Sequence, residues 1–256
     1  MGVKLLAPLA AAIALATPAS YLQSQQRPDG GWGSPQMTAW VVLGLRAAGA
    51  DPGGALDYLV AHESEPTKPT EVALAAMAEA ALGHDPQDLL ARLPAKPTAD
   101  NAAIWQILAL RQSGRPAPRT LVSYVLASQA RGGGFPWARG TAPDSNDTAA
   151  AVQALRAVGV TGKPIARALE YLRRLQAPSG GFRLVAGREA DAQSTALAIQ
   201  AFVAAGAKTP KGAFAFLSKL RRPDGSYRYS RTYATTPVWV TAQVLPALVK
   251  KPFPLR

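Results

Sequence analysis

The sequence has no cysteine and only two histidines, His62 and His84. Disulfides, thiolate metal sites and cysteine nucleophiles are therefore excluded, and each imidazole reads as a loop residue rather than a ligand. Aromatic residues make up 7% of the 256 positions, and runs of β-branched residues are scarce. With alanine dominating the apolar fraction, the composition favours helices packed closely through small side chains, and no strands are expected. No segment reaches the roughly 20 consecutive apolar residues that a bilayer span needs, so no stable membrane span is expected.

What is present is a globular composition, 48% hydrophobic and 17% charged, with a formal net charge of +12. Such a charge attracts polyanions in general. Here, however, the cations are scattered over loops and helix faces (Arg92, Arg119, Arg173, Lys219) rather than set in one stripe with interleaved aromatics. They read as a solvated surface, and a nucleic-acid partner is not expected.

The N-terminus has one basic residue, Lys4, then an apolar stretch from Leu5 to Ala16, then the small-residue pattern Thr17-Pro18-Ala19. This resembles a bacterial secretion signal, so residues 1–16 are expected to be a signal peptide and the mature protein to begin near Ser20, outside the cytoplasm. Residues 17–256 are then one domain. The alternative is an extra N-terminal helix.

Four elements repeat: Gln26-Arg27-Pro28-Asp29-Gly30-Gly31-Trp32, Gln129 to Phe135, Gln176 to Phe182, and Arg221 to Tyr227. Each follows a short apolar helix signal and precedes a small-residue helix. Gly49, Gly83, Gly114, Gly159 and Gly206 are placed to end those second helices, and a sixth spans about 238–250. A helix pair repeated at this spacing points to a solenoid or a closed ring. The segment 17–26 reads as an orphan outer helix and 238–250 as an orphan inner one. Pairing them closes an all-α, six-hairpin α/α toroid without exposed apolar ends. Residues 53–97 lack the motif and should be the least regular part.

The Gln-x3-Gly-x-Trp/Phe element resembles the repeat of the squalene cyclase, oxidosqualene cyclase and protein prenyltransferase superfamily. In detail the chain is similar to small exported bacterial proteins with prenyltransferase or squalene-oxidase repeats, on the strength of Ala192 to Gln200, Tyr229 to Thr232 and Thr236 to Gln243. The resemblance covers about residues 17–251 and implies an α/α toroid. In the motif itself the glycines permit a tight turn, the Gln amide satisfies helix-end groups and the aromatic covers the turn. Trp32, Phe135, Phe182 and Tyr227 are accordingly read as structural.

Chemistry in such a ring gathers where the inner helices begin, because their N-terminal amides converge there. Alignment on the terminal glycines makes Asp147, Ser194, Glu71 and Met37 equivalent and matches Asp144 with Asp191, so acidic residues are expected at one mouth. Trp40, Trp105 and Trp239 can wall an apolar pocket or stabilise a cation. The plainer reading of Asp147 and Ser194 is as helix N-caps.

Asp144-Ser145-Asn146-Asp147-Thr148-Ala149 resembles the Asp-x-Asp-Asp-Thr-Ala motif of protonating terpene cyclases, whose middle Asp delivers a proton. Here that position is Asn146, whose amide has no usefully acidic proton. The resemblance therefore argues against ordinary cyclisation unless Asp144, Asp147 or Asp191 substitutes as the acid. Glu71, Asn146 and Ser194 join the three tryptophans as candidate ligand-binding residues. No cofactor and no metal are expected: the zinc site of prenyltransferases needs Cys and His, and no Asp-rich Mg²⁺ motif exists. For glycoside hydrolysis only the residue types of the acidic set speak. The leading expectation is a module binding an apolar or isoprenoid-like small molecule in its axial cavity without cyclising it. The alternatives are a protonating terpene cyclase and an interaction scaffold with a filled axis.

Overall fold

The computed structural model describes residues 16–255, so most of the expected signal peptide lies outside the described residues. These fold into twelve helices and two minimal strand pairs: α1 (Pro18–Ser24), α2 (Pro35–Ala47), α3 (Ala55–Ala61), α4 (Pro69–Ala81), α5 (Gln87–Ala91), α6 (Asp100–Gln112), α7 (Arg119–Ala127), β1 (Phe135–Pro136), β2 (Pro143–Asp144), α8 (Ser145–Ala157), α9 (Lys163–Arg174), β3 (Phe182–Arg183), β4 (Ala190–Asp191), α10 (Ala192–Ala204), α11 (Ala213–Leu220) and α12 (Pro237–Leu248).

The even-numbered helices from α2 to α12, α5's neighbours included, carry the core. Each starts in a defined way. Pro35, Pro69 and Pro237 occupy first-turn positions where a missing N–H costs nothing. Ser34, Asp144 and Asp191 cap α2, α8 and α10 by accepting from Met37 N, Asp147 N and Ser194 N at 3.2, 2.8 and 2.7 Å. The five glycines expected as stops all adopt positive φ, between 66° and 85°. Because these helices are apolar on nearly every side, they can be stable only with neighbours on both flanks. α2 packs against α4 and α12, α4 against α6, α6 against α8, α8 against α10 and α10 against α12. At Gly44 of α2 a Cβ would collide with the Ala242 carbonyl, so this glycine sets the close approach of α2 to α12.

The remaining helices pack outside: α3 on α2 and α4, α5 on α4, α7 on α6, α9 on α8 and α10, α11 on α10, and α1 on α12 and α2. The arrangement is mostly helical and consistent with an α/α toroid. α3 and α5, with seven and five residues, are among the shortest helices and lie in the segment without the motif.

The repeats act as the sequence suggests. Gln26, Gln129 and Gln176 each donate from Nε2 to the Gly carbonyl four residues on, at 2.8–2.9 Å, and to a carbonyl ahead of or at the start of a later outer helix: Pro52, Pro164 and Lys211. At the fourth copy, Arg221 donates instead to Ala16 O at 2.7 Å. Gly30, Gly133, Gly180 and Gly225 abut the carbonyls of Gly54, Arg167, Gly212 and Thr17 with positive φ, leaving no room for a Cβ. The four motif aromatics are buried. Their backbone N–H groups are accepted by Thr38, Thr148, Thr195 and Thr241 at 2.8–2.9 Å, each in the first turn of the following core helix.

One expectation needs correction. Strands do occur, as the antiparallel pairs β1–β2 and β3–β4. They form because the residues after the second and third motifs leave the turn extended and pair with the residues that lead into α8 and α10.

Candidate functional site

The six core helices surround a cavity of about 250 Å³ with their N-terminal ends. Its lining follows a simple register. The second residue of five of these helices faces it (Gln36, Thr70, Asn101, Asn146 and Gln193), and one turn deeper come Trp40, Leu74, Trp105 and Leu197. Residues four apart lie on one helix face, so α2, α4, α6 and α10 each offer a polar group at the rim and an apolar one below. Trp239 and Gln243 of α12 complete the wall one position out of register.

The floor is aromatic. Trp40 meets Trp105 edge-on with ring centroids 5.3 Å apart and lies 6.0 Å from Trp239. Phe253, beyond α12, packs against Trp40 and Trp105 at 6.3 and 6.4 Å. It is held there because its N–H donates to Gln153 Oε1 at 2.8 Å, while Leu255 and Gln112 exchange a second pair of bonds. Beside this floor Gln243 is buried with neither amide atom hydrogen-bonded. A buried, unpaired amide is costly, so it forms a ready contact for a ligand's polar group.

At the rim a polar chain runs from α4 to α8. Thr70 donates to Asn101 Oδ1 at 2.7 Å, and Asn101 Nδ2 donates to Asp147 Oδ1 at 2.5 Å. Burial, reinforced by Asp144, pushes the Asp147 carboxyl up to about 8, while the Asn101 bond acts against that rise. Burial and Asp144 both favour the protonated form of Asp147. Asp100, fully buried at the first position of α6, is also shifted upward by burial, with Arg139 opposing at 3.7 Å.

The structure brings together Trp40, Trp105, Trp239, Asp144, Asn146 and Asp147 on this cavity. The other three candidates lie in or beside two adjoining hollows, which share Gln36 and Leu184 with the central cavity. Glu71 shares a separate hollow with Ser34 and Glu65, and its carboxylate is taken by Lys68 Nζ at 2.9 Å and by the Lys68 backbone. Asp191 lines a neighbouring pocket of about 230 Å³ with Tyr229 and Tyr233. Ser194 is buried, its hydroxyl donating to Asp191 Oδ2 at 2.8 Å. Burial raises Asp191 to about 6, against the pull of those Ser194 bonds. The capping assignment also shifts: Asp144 and Asp191 are the caps, whereas Asp147 and Ser194 sit three residues later and receive them. The second residue of α2, α4, α6, α8 and α10 lines the cavity, whereas among third residues only Asp147 of α8 and Trp239 of α12 do. Gln36, Thr70, Asn101 and Gln193 were therefore missed, although they form one column just before the residues that were aligned.

Among the described residues no helix is long and apolar enough to cross a membrane.

No family model matches the chain, and no curated protein matches it. Solved structures do. The type II terpene cyclase MstE from Scytonema superposes with a TM-score of 0.73 at 15% identity, covering 91% of this chain and 96% of the other. The same cyclase is known in complex with geranylgeranyl dihydroxybenzoate as substrate. ent-Copalyl diphosphate synthase from Streptomyces platensis gives 0.61 at 20% identity over 84% of this chain and 50% of that one. A structure described as a glycosidase gives 0.64 at 12% identity over 91% and 94%. At these identities the likeness concerns the fold, and two chemistries share it. With its repeats and these neighbours, the chain shares the fold of these terpene cyclases, a mostly helical arrangement consistent with an α/α toroid.

Proposed function

We propose that the protein binds a small, largely apolar, isoprenoid-like molecule in the central cavity and does not cyclise it. The observation that carries this reading is the cavity wall: a rim of amide and hydroxyl side chains, joined by Asp144 and Asp147, over tryptophan and leucine, with Asn146 where the resemblance would place the acid. The volume lies just below the roughly 300–1,000 Å³ typical of drug-sized ligands, which favours a short chain. Gln243 supports a ligand bearing one hydroxyl or carbonyl, because its unpaired amide would bond such a group at the apolar floor.

A specific observation favours the second reading, protonating cyclisation: Asp147 lines the cavity, and burial favours its protonated form. The direction of its shift weighs against it. Protonating an alkene demands an acid stronger than an ordinary carboxyl, and burial beside Asp144 makes Asp147 weaker. The partly open cavity speaks against the filled-axis scaffold.

We further propose that the fold is a closed six-hairpin ring, with α1 as the outer partner following α12, and that the protein is exported. The clasp of the fourth motif on Ala16 and Thr17 supports closure, because the other three motifs clasp α3, α9 and α11 in the same way.

Titration with farnesol, read by tryptophan fluorescence, tests the ligand reading. Saturable quenching by wild type, weakened about tenfold or more in Gln243→Leu, is expected, with squalene or a shorter polyprenyl substrate recovered unchanged. Turnover by wild type that vanishes in Asp147→Asn would replace binding with catalysis.

A further inference from the structure

The segment without the repeat staple carries another cluster. Glu63 follows α3, Glu79 lies in the last turn of α4, and His84 lies in the link to α5. One ligand atom from each falls within 4.8 Å of the others, and none of the three lines the central cavity. Glu79 is fully buried, yet neither carboxylate oxygen has a hydrogen-bond donor. The ring of His84 lies beside it, with Nε2 3.9 Å from Glu79 Oε2. Arg92 fixes the opposing segment by donating to the backbone carbonyls of Glu63 and Pro66.

A buried carboxylate without donors costs several kcal/mol. In α4 its neighbours are Val72, Leu74, Ala75, Ala76, Met77 and Ala78, all buried and apolar, so a leucine at position 79 would pack without that cost. A charge retained there needs a counter-charge. Arg92, the cation that reaches this segment, spends its donors on carbonyls.

We propose that Glu63, Glu79 and His84 bind a divalent transition-metal cation of the zinc type. Two carboxylate oxygens and one imidazole nitrogen are a borderline donor set suited to Zn²⁺, whereas Ca²⁺ and Mg²⁺ prefer six or more oxygens. Tetrahedral bonds of about 2.0–2.2 Å give ligand-to-ligand edges of roughly 3.3 Å. The cluster therefore has to close by at most about 1.5 Å, and the half-buried Glu63 and exposed His84 sit on links that can supply it. Exposure on the His84 side leaves the fourth position to water. The two carboxylate charges are balanced by the ion, which accounts for the donor-free burial of Glu79. The ion would tie the end of α3 and the α4–α5 link to α4, in the stretch where no Gln-x3-Gly clasp does so. Sequence reading gave His84 no ligand role because its partners are spread over 22 positions and set by the fold.

The test uses the full chain, stripped with a chelator and titrated with ZnCl₂ by calorimetry, with thermal unfolding as a second readout. One equivalent is expected to bind, to raise the melting temperature by roughly 5–10 °C at a hundredfold excess over Kd, and to be reversed by chelator. Glu79→Gln, which keeps the side-chain shape, and His84→Ala should each lose the shift. Zinc-edge absorption should report one imidazole nitrogen and oxygen ligands. No stoichiometric binding, or the same binding and shift in Glu79→Gln, would overturn the site and leave the two carboxylates as a proton-sharing pair.

Discussion

Asn101 Nδ2 donates to Asp147 Oδ1 at 2.5 Å, joining α6 to α8 at the rim of the cavity. This bond favours the ionised carboxylate, and burial opposes it more strongly. The folded value of about 8 exceeds the unfolded value near 4. Between them the unfolded chain has released the proton and the folded chain still holds it, so stability is complete below about pH 4 and falls as pH rises toward 8. Urea unfolding of wild type should show that decline, at up to about 1.4 kcal/mol per pH unit from this group. Asp147→Asn should make the decline shallower, leaving the share of Asp191, which burial also raises, and an equal slope in both proteins would show that Asp147 is ionised when folded.

Removing the Asn101 amide isolates the opposing effect. Asn101→Leu takes away a bond that lowers the Asp147 value, so the carboxyl should titrate at still higher pH. Carboxyl NMR of wild type and variant checks this, and a downward move would contradict the assigned geometry.

Phe253 closes the floor of the cavity against Trp40 and Trp105. Phe253→Ala should destabilise the protein by roughly 3–5 kcal/mol through the cavity it leaves. Among molecules that survive folded, preference should move toward longer isoprenoid alcohols. Comparison of geraniol and geranylgeraniol by fluorescence quenching measures it, and an unchanged ratio would mean that the floor does not limit ligand length.

Leu22 of α1 is fully buried between α12 and α2. If α1 completes the ring, Leu22→Ala should cost about 2–5 kcal/mol, and deleting residues 1–26 should abolish cooperative unfolding. Truncated protein with an unchanged transition would refute closure.

Export is tested by N-terminal sequencing of extracytoplasmic protein from the native host. A start near Ser20 is expected, and it would remove Thr17, which accepts from Ser20 N at 3.0 Å as the cap of α1, and Ala16, whose carbonyl receives Arg221. An intact Met1 in the cytoplasm would remove the export proposal.

The sequence alone determined the helices and their stops. Glycines such as Gly49 and Gly159 end helices through positive φ, and the turn-closing bonds of Gln26 to Gly30 O and Gln176 to Gly180 O span four residues, so local chemistry suffices for both. It also marked Trp40, Trp105 and Trp239, which fall on the inner helices, and Asp144, Asn146 and Asp147, through the resemblance of their segment to the acid motif of protonating cyclases. What only the tertiary structure decided was direction and company. Whether the second or third residue of a helix looks inward depends on how that helix is rolled against both neighbours, a one-residue difference of about 100°. That roll sent Glu71 to Lys68 and Ser194 to Asp191, turned Gln193 and Asn101 to the cavity, and left Glu79 buried beside His84.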